Sequence, residues 1–149
     1  MPRTGGPEMD EESVIRLRNA MLRAARRLRT AGDPEGLTAT QSSVLATLVR
    51  EGPLRAGDLA GAEALNPTML SRILGHLEER GLAARTPDPE DGRATLARAT
   101  ADGRLLVERL RARRAALLMR WLEDLTPEGR ASLRAALPAL EELAGAARP

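Results

Sequence analysis

Apolar positions in this 149-residue chain recur mostly three and four apart, which predicts helices along nearly all of it. Val14, Leu17, Met21, Ala24, Ala25 and Leu28 trace a first helix from Ser13, with six arginines interleaved between 16 and 29. It is expected to end near Gly32–Asp33–Pro34. Thr38 and Gln41 form a T-x-x-Q capping box ahead of Val44, Leu45 and Leu48, and Gly52–Pro53 stops that second helix. A short helix over 56–62 turns Leu59 and Ala60 inward and leads into a tight turn at Ala64–Leu65.

The stretch LNPTMLSRILGHLEERGL (65–82) carries signals at both ends. Asn66 is a favoured N-cap and Pro67 suits the first helical position. Gly81 suits a left-handed C-terminal cap. Leu70, Ile73, Leu74 and Leu77 make one buried stripe, at i, i+3, i+4 and i+7. Thr68, Ser71, Arg72, Gly75, His76 and Glu79 fall on the opposite face, which the core does not need.

After Gly81 the pattern changes. Segments 82–86 and 94–99 flank the turn-rich PDPEDGR and read as a short hairpin, although alanine weakens the strand signal. Thr100 is placed to cap a long helix carrying Leu106, Leu110, Leu117, Trp121 and Leu125. Thr126–Pro127–Glu128 restarts a helix through Leu133, Leu137, Leu140 and Leu143, with a kink expected at Pro138.

A helix-turn-helix followed by a hairpin is the winged-helix arrangement. The expected fold is therefore mainly α with a small β-hairpin wing: a winged helix-turn-helix flanked by N- and C-terminal helices. The expected division is a disordered tail at 1–12, helical segments at 13–36 and 101–149, and a winged helix-turn-helix lobe at 37–100. In helix-turn-helix proteins the second helix lies in the major groove with its N-terminal residues against base edges.

Composition narrows the chemistry. All 23 basic residues are arginine, there is no Phe, Tyr or Cys, and one Trp and one His are present. The core must rest on Leu, Ala, Val and Ile. Disulfides, zinc–thiolate sites and thiol redox sensing are excluded. The formal charge is +2, and residues 38–104 hold eight arginines against nine acidic residues, a net −1. DNA binding would therefore need positive charge segregated onto one face. The longest purely apolar run, AALLM at 115–119, is far too short to span a membrane. No signal-peptide core is evident near the N-terminus, so a cytoplasmic location is expected. Catalysis finds no foothold: there is no phosphate loop, and Glu78–Glu79 and Glu141–Glu142 are adjacent pairs that diverge along a helix. No enzyme, cofactor or metal site is expected.

Four stretches together resemble the MarR-type (multiple-antibiotic-resistance regulator) winged-helix transcription factors. LTATQSSVLATL (37–48) resembles the family's second helix, and GDLAGAEALNPTMLSRILGHLEERGLAAR (57–85) its helix-turn-helix and run into the wing. DPEDGRA (88–94) matches the wing signature D-x-R followed by a small residue, and LARATADGRLL (96–106) resembles the wing exit. The resemblance implies a homodimer whose N- and C-terminal dimerisation helices interlock, with 13–36 and 101–149 as the helical dimerisation region and 37–100 as the DNA-binding lobe, acting on double-stranded DNA at a pseudo-palindromic operator. It also implies a repressor, with a small-molecule effector as the releasing signal in many relatives. Arg55 stands where relatives often carry a small hydroxylic cap, and Gly75 and His76 replace a common charged pair.

On that footing Thr68, Ser71 and Arg72 are candidates for the major groove, with Arg72 able to donate two bonds to one guanine. His76 either touches phosphate or covers the helix side. Arg93 at the hairpin tip can reach a narrow minor groove, where negative potential is concentrated. By the family pattern Asp91 fixes the loop by pairing with a nearby arginine. Arg85 and Arg98 on the flanking strands are candidates for phosphate. Each has a plainer reading: a solvated helix face, an acidic turn that repels phosphate, and Trp121 as core or dimer seam. The alternative function is a helical protein-interaction module on a winged-helix scaffold without DNA binding.

Overall fold

The computed structural model describes residues 9–30 and 35–145. Its elements in chain order are α1 (Glu11–Thr30), α2 (Ala39–Glu51), β1 (Leu54–Arg55), α3 (Ala56–Ala62), α4 (Pro67–Glu79), β2 (Ala83–Pro87), β3 (Thr95–Ala99), α5 (Ala101–Glu123) and α6 (Pro127–Leu143). They form two compact units, divided within α5 between Arg111 and Ala112.

The helix boundaries follow from local chemistry. Thr38 caps α2 through the reciprocal box: its hydroxyl accepts from the Gln41 amide at 3.2 Å, and the Gln41 side chain accepts from the Thr38 amide at 2.9 Å. Asn66 caps α4 by accepting from the Met69 amide at 2.8 Å, with Pro67 behind it. Helix α1 begins two residues before the expected Ser13, because Asp10 caps it by accepting from the Ser13 amide at 2.8 Å. Residues 1–8 of the expected tail, and the expected first-helix end at Gly32–Asp33–Pro34, lie outside the described residues.

A leucine core fills the first unit. Leu45, Leu48, Leu59, Leu70, Leu77 and Leu106 are almost wholly buried, with Val44, Ala83, Ala97 and Ala99 around them. The sheet has three strands in the order β1–β3–β2, both pairings antiparallel. Strand β1 is an addition to the expected hairpin; its two residues pair Leu54 with Ala97 and Arg55 with Leu96.

Two helix ends in this unit use the same device. At the end of α4 the Leu82 amide donates to the Leu77 carbonyl and Gly81 to Glu78, with Gly81 at φ +69°. At the end of α3 the Leu65 amide donates to Ala60 and Ala64 to Gly61, but the left-handed residue is Ala64, at φ +52°.

Thr100 then ties the wing exit to α4. Its hydroxyl donates to the Gly81 carbonyl at 2.6 Å and accepts from the Gly103 amide at 3.1 Å, and its own amide donates to the Leu82 carbonyl at 3.0 Å. Gly103 has to be glycine here. A Cβ at that position would lie 2.1 Å from the Leu82 carbonyl oxygen.

In the second unit Thr126 caps α6 by accepting from the Gly129 amide at 3.1 Å, and α6 runs through Pro138 to Leu143 as one helix. Arg130 donates to the Leu125 carbonyl at 2.6 Å and reaches the Leu122 carbonyl at 3.3 Å, closing off the end of α5. No residue of α1 or α6 is buried. Among the described residues, no helix is long and apolar enough to cross a membrane.

Candidate nucleic-acid interface

The outward face of α4 is what the spacing predicted. Leu70, Ile73, Leu74 and Leu77 are buried, while Thr68, Ser71 and Arg72 are exposed and line one shallow, open depression with Pro67. These three groups occupy the N-terminal half of the helix, with the positive end of its dipole beside them. His76 is half-buried toward the other end and Glu79 is exposed. A Cβ on Gly75 would meet nothing within 4 Å, so no neighbouring helix requires that glycine.

The wing loop is built from nested carboxylate turns. Asp91 does fix it, but not by pairing with an arginine side chain as expected. Its Oδ1 accepts from the Arg93 backbone amide at 3.1 Å, while the Ala94 amide donates to its carbonyl at 2.9 Å. An Asx turn of this kind satisfies the backbone locally and needs no guanidinium. The arginine pair belongs instead to Asp88. Arg55 Nε and an Arg55 terminal nitrogen lie 2.7 Å and 2.6 Å from Asp88 Oδ2, and Asp88 Oδ1 accepts from the Glu90 amide at 2.9 Å. Asp88 is only 5% exposed. The Glu90 amide and then the Arg55 bond hold its carboxyl below the usual carboxylate range, and Asp88 raises the Arg55 guanidinium in turn. Arg55 therefore sits at the N-cap position of α3 with no side-chain cap bond.

The two strand arginines part company. Residues opposite each other in an antiparallel pair share a face and neighbours along a strand alternate. Arg85, opposite Ala97, therefore shares the face of the buried Ala83 and Ala99, whereas Arg98, opposite Ala84, lies on the other face. Arg85 is held by Glu78 of α4 at 3.1 Å and lines a cleft of about 160 Å³ with Ser71, Leu70 and Thr95.

Charge is thus sorted rather than spread. Asp88 and Glu78 are neutralised within the lobe, and among the described residues Arg72, Arg93 and Arg98 enter no ion pair. The net −1 of the lobe conceals guanidinium groups without an ion pair on its surface, Arg72, Arg93 and Arg98 among them. The sequence marks Arg55 as an unusual cap and Asp88 as part of an acidic turn, but not that the two pair. Their separation of 33 positions leaves no local pattern, and the one signal was an arginine at a capping position.

The MarR family model matches residues 37–95, the stretch from the capping box through the wing. An uncharacterized HTH-type transcriptional regulator of Mycobacterium leprae is 34% identical over 124 residues, covering 83% of this chain and 87% of that protein. The chain belongs to the MarR family. As a member it is a transcriptional regulator and not an enzyme. The fold agrees: the transcriptional regulator Tm0710 of Thermotoga maritima superposes with a TM-score of 0.75 at 25% identity, covering 90% of this chain and 94% of that one. A Staphylococcus aureus MepR variant bound to an oligodeoxyribonucleotide has a TM-score of 0.66 at 20% identity, covering 91% and 98%. Among the described residues, no group of three or more His, Asp or Glu side chains is placed to hold a metal ion.

Proposed function

We propose that this MarR-family chain is a homodimeric repressor that reads a two-fold symmetric operator in double-stranded DNA. The observation that carries the reading is the outward face of α4, where Thr68, Ser71 and uncommitted Arg72 stand on a rigid, capped helix. Arg72 makes the base-specific contact, Thr68 and Ser71 bond bases or phosphates, and His76 lies at the edge of the footprint. Arg93 takes the minor groove beside the half-site, Asp91 holds its loop, and Arg98 and Arg85 are secondary phosphate contacts. Arg85 ranks below Arg98, because Glu78 competes for it.

Dimerisation is supported by apolar side chains left uncovered on the terminal helices: Val14, Ile15, Met21 and Leu22 on α1, and Leu133, Leu137 and Leu143 on α6. Exposed stripes of this kind mark contact surfaces. A small-molecule effector belongs to the proposal on family grounds alone.

The test is selection of bound fragments from sheared genomic DNA at two salt concentrations, repeated with Arg72→Ala and Arg93→Ala. The parent protein should enrich a symmetric site with half-sites about one helical turn apart. Arg72→Ala should cost about 1–3 kcal/mol and relax the preference at one position per half-site. Arg93→Ala should weaken binding and lower the salt slope by about 0.9 for each phosphate it no longer neutralises. Absence of salt-sensitive binding, with both variants silent, would establish the protein-interaction module instead.

A further inference from the structure

Arg55 occupies a position where a short hydroxyl or carboxamide would cap α3, and it makes no such bond. Its side chain instead reaches across the sheet. Strand β1 is one edge, β3 is central and β2 is the other edge. From β1 the guanidinium extends to Asp88, the residue that follows β2, in a groove also lined by Leu54, Leu96 and Pro89. Both of its bonds fall on Oδ2, because Oδ1 is already committed to the Glu90 amide. The Asp88 amide meanwhile donates to the Ala94 carbonyl at 2.9 Å and closes the loop's neck. One carboxylate therefore shapes the wing turn with one oxygen and straps it to the start of α3 with the other.

We infer that Arg55 is a positioning residue for DNA recognition: through Asp88 it fixes where the wing presents Arg93 relative to the helix-turn-helix. The inference rests on the wing reading proposed above. Removing Arg55 leaves a buried carboxylate without its counter-charge and frees the neck of a seven-residue loop, residues 88–94, from its only side-chain tie to β1 among the described residues. A structural strap and a direct phosphate contact make different predictions, because a strap acts through Arg93 and a direct contact acts alone.

The experiment measures operator affinity, salt slope and base preference for the full-length protein and for Arg55→Ala, Asp88→Asn, Arg93→Ala and the doubles Arg55→Ala/Arg93→Ala and Asp88→Asn/Arg93→Ala. Arg55→Ala should lose about as much affinity as Arg93→Ala, on the order of tenfold, and flatten preference at the minor-groove flanks. Preference at the positions read by Arg72 should stay intact, which general loosening of the fold would not allow. The double should be no weaker than Arg93→Ala alone, since coupled residues are not additive. If Arg55→Ala folds poorly, Asp88→Asn breaks the same pair from the other side, and its loss should likewise vanish in the Arg93→Ala background. Full additivity of Arg55→Ala with Arg93→Ala, together with a salt slope reduced by about 0.9, would make Arg55 a phosphate contact and overturn the inference alone. Arg55→Ala and Asp88→Asn both at parental affinity would reduce the pair to fold maintenance and also overturn it. An Arg93→Ala protein with unchanged affinity would bring down the wing reading and this inference together.

Discussion

Helices α4 and α6 are written in nearly the same way and end in opposite states. Each opens on a polar cap followed by proline, Asn66–Pro67 in one and Thr126–Pro127 in the other, and each carries a leucine stripe. In α4 four apolar residues are buried against α2, α3 and the sheet. In α6 none is buried, and Leu133, Leu137 and Leu143 stand exposed. Periodicity therefore specifies that a face will be covered but not by what. The chain covers the first stripe itself; the second stands uncovered, and the proposed dimer is what would cover it. A matched pair of substitutions sharpens the contrast. Leu137→Arg should leave the lobe folded, yield a monomer by light scattering and lower operator affinity about 10²–10⁴-fold, because the two half-sites are then bound without linkage. Leu77→Ala should do the converse, destabilising the lobe by about 2–5 kcal/mol in urea unfolding while the oligomeric state of the folded fraction is unchanged. A monomeric parent would collapse the comparison, because α6 would then be a plain solvated helix.

A second way to break the contrast lies where the lobe is tightest. Gly103→Ala places a methyl 2.1 Å from the Leu82 carbonyl oxygen, and both are backbone-bound, so neither can swing aside. The helix start must shift and the Thr100 bonds to Gly81 and Leu82 must lengthen with it. The expected cost is about 1–3 kcal/mol, read as a lower urea midpoint. By contrast, a Cβ at Gly57 or Gly61 on α3 meets nothing within 4 Å, so alanine there should not be penalised by packing.

Acid tests the strap between wing and lobe. Asp88 is lowered from 3.8 in the folded protein, so between 3.8 and its folded value the unfolded chain binds more protons. Its contribution is fully present above 3.8 and is lost as pH falls through the folded value. Asp10 is lowered as well, by the Ser13 bonds that cap α1, so the parent's acid slope is not due to Asp88 alone. The difference between the parent and Asp88→Asn isolates it. That difference should shrink on going from about pH 5 to about pH 3 in urea midpoints. A constant difference would mean that the strap does not depend on the carboxylate's charge.

What could be read from the sequence was local. The Thr38–Gln41 box, the Asn66 and Thr126 caps, the Gly81 ending and the limits of α3 all depend on residues within a few positions of each other, and the structure reproduces them. The Asp10 cap was local too and could have been read from Asp10 followed by Glu11 and Glu12 in a first turn. The rest depended on distance. Strand β1 is two residues long and exists only because β3, some forty positions on, pairs with it. Asp88 reads in sequence as a charge that repels phosphate, and becomes a neutralised tie only with Arg55 beside it. Alanine-rich β2 and β3 lack strand propensity; they hold because Ala83, Ala97 and Ala99 are small enough to sit under the leucine core.

The smallest effect separates two helix endings of one design. Both α3 and α4 close with the same pair of backbone bonds, but a glycine takes the left-handed position after α4 and Ala64 takes it after α3. An L-residue there brings its Cβ close to the following carbonyl, at a cost of about 1–2 kcal/mol. Glycine relieves that crowding but adds freedom to the unfolded chain, which returns roughly 0.5–1 kcal/mol. Ala64→Gly should therefore raise the urea midpoint slightly, by no more than about 1 kcal/mol of stability, without altering operator affinity. An affinity change would carry more weight than the stability change. It would mean that the turn between the two helices, and not their caps alone, sets the angle at which Thr68, Ser71 and Arg72 meet DNA.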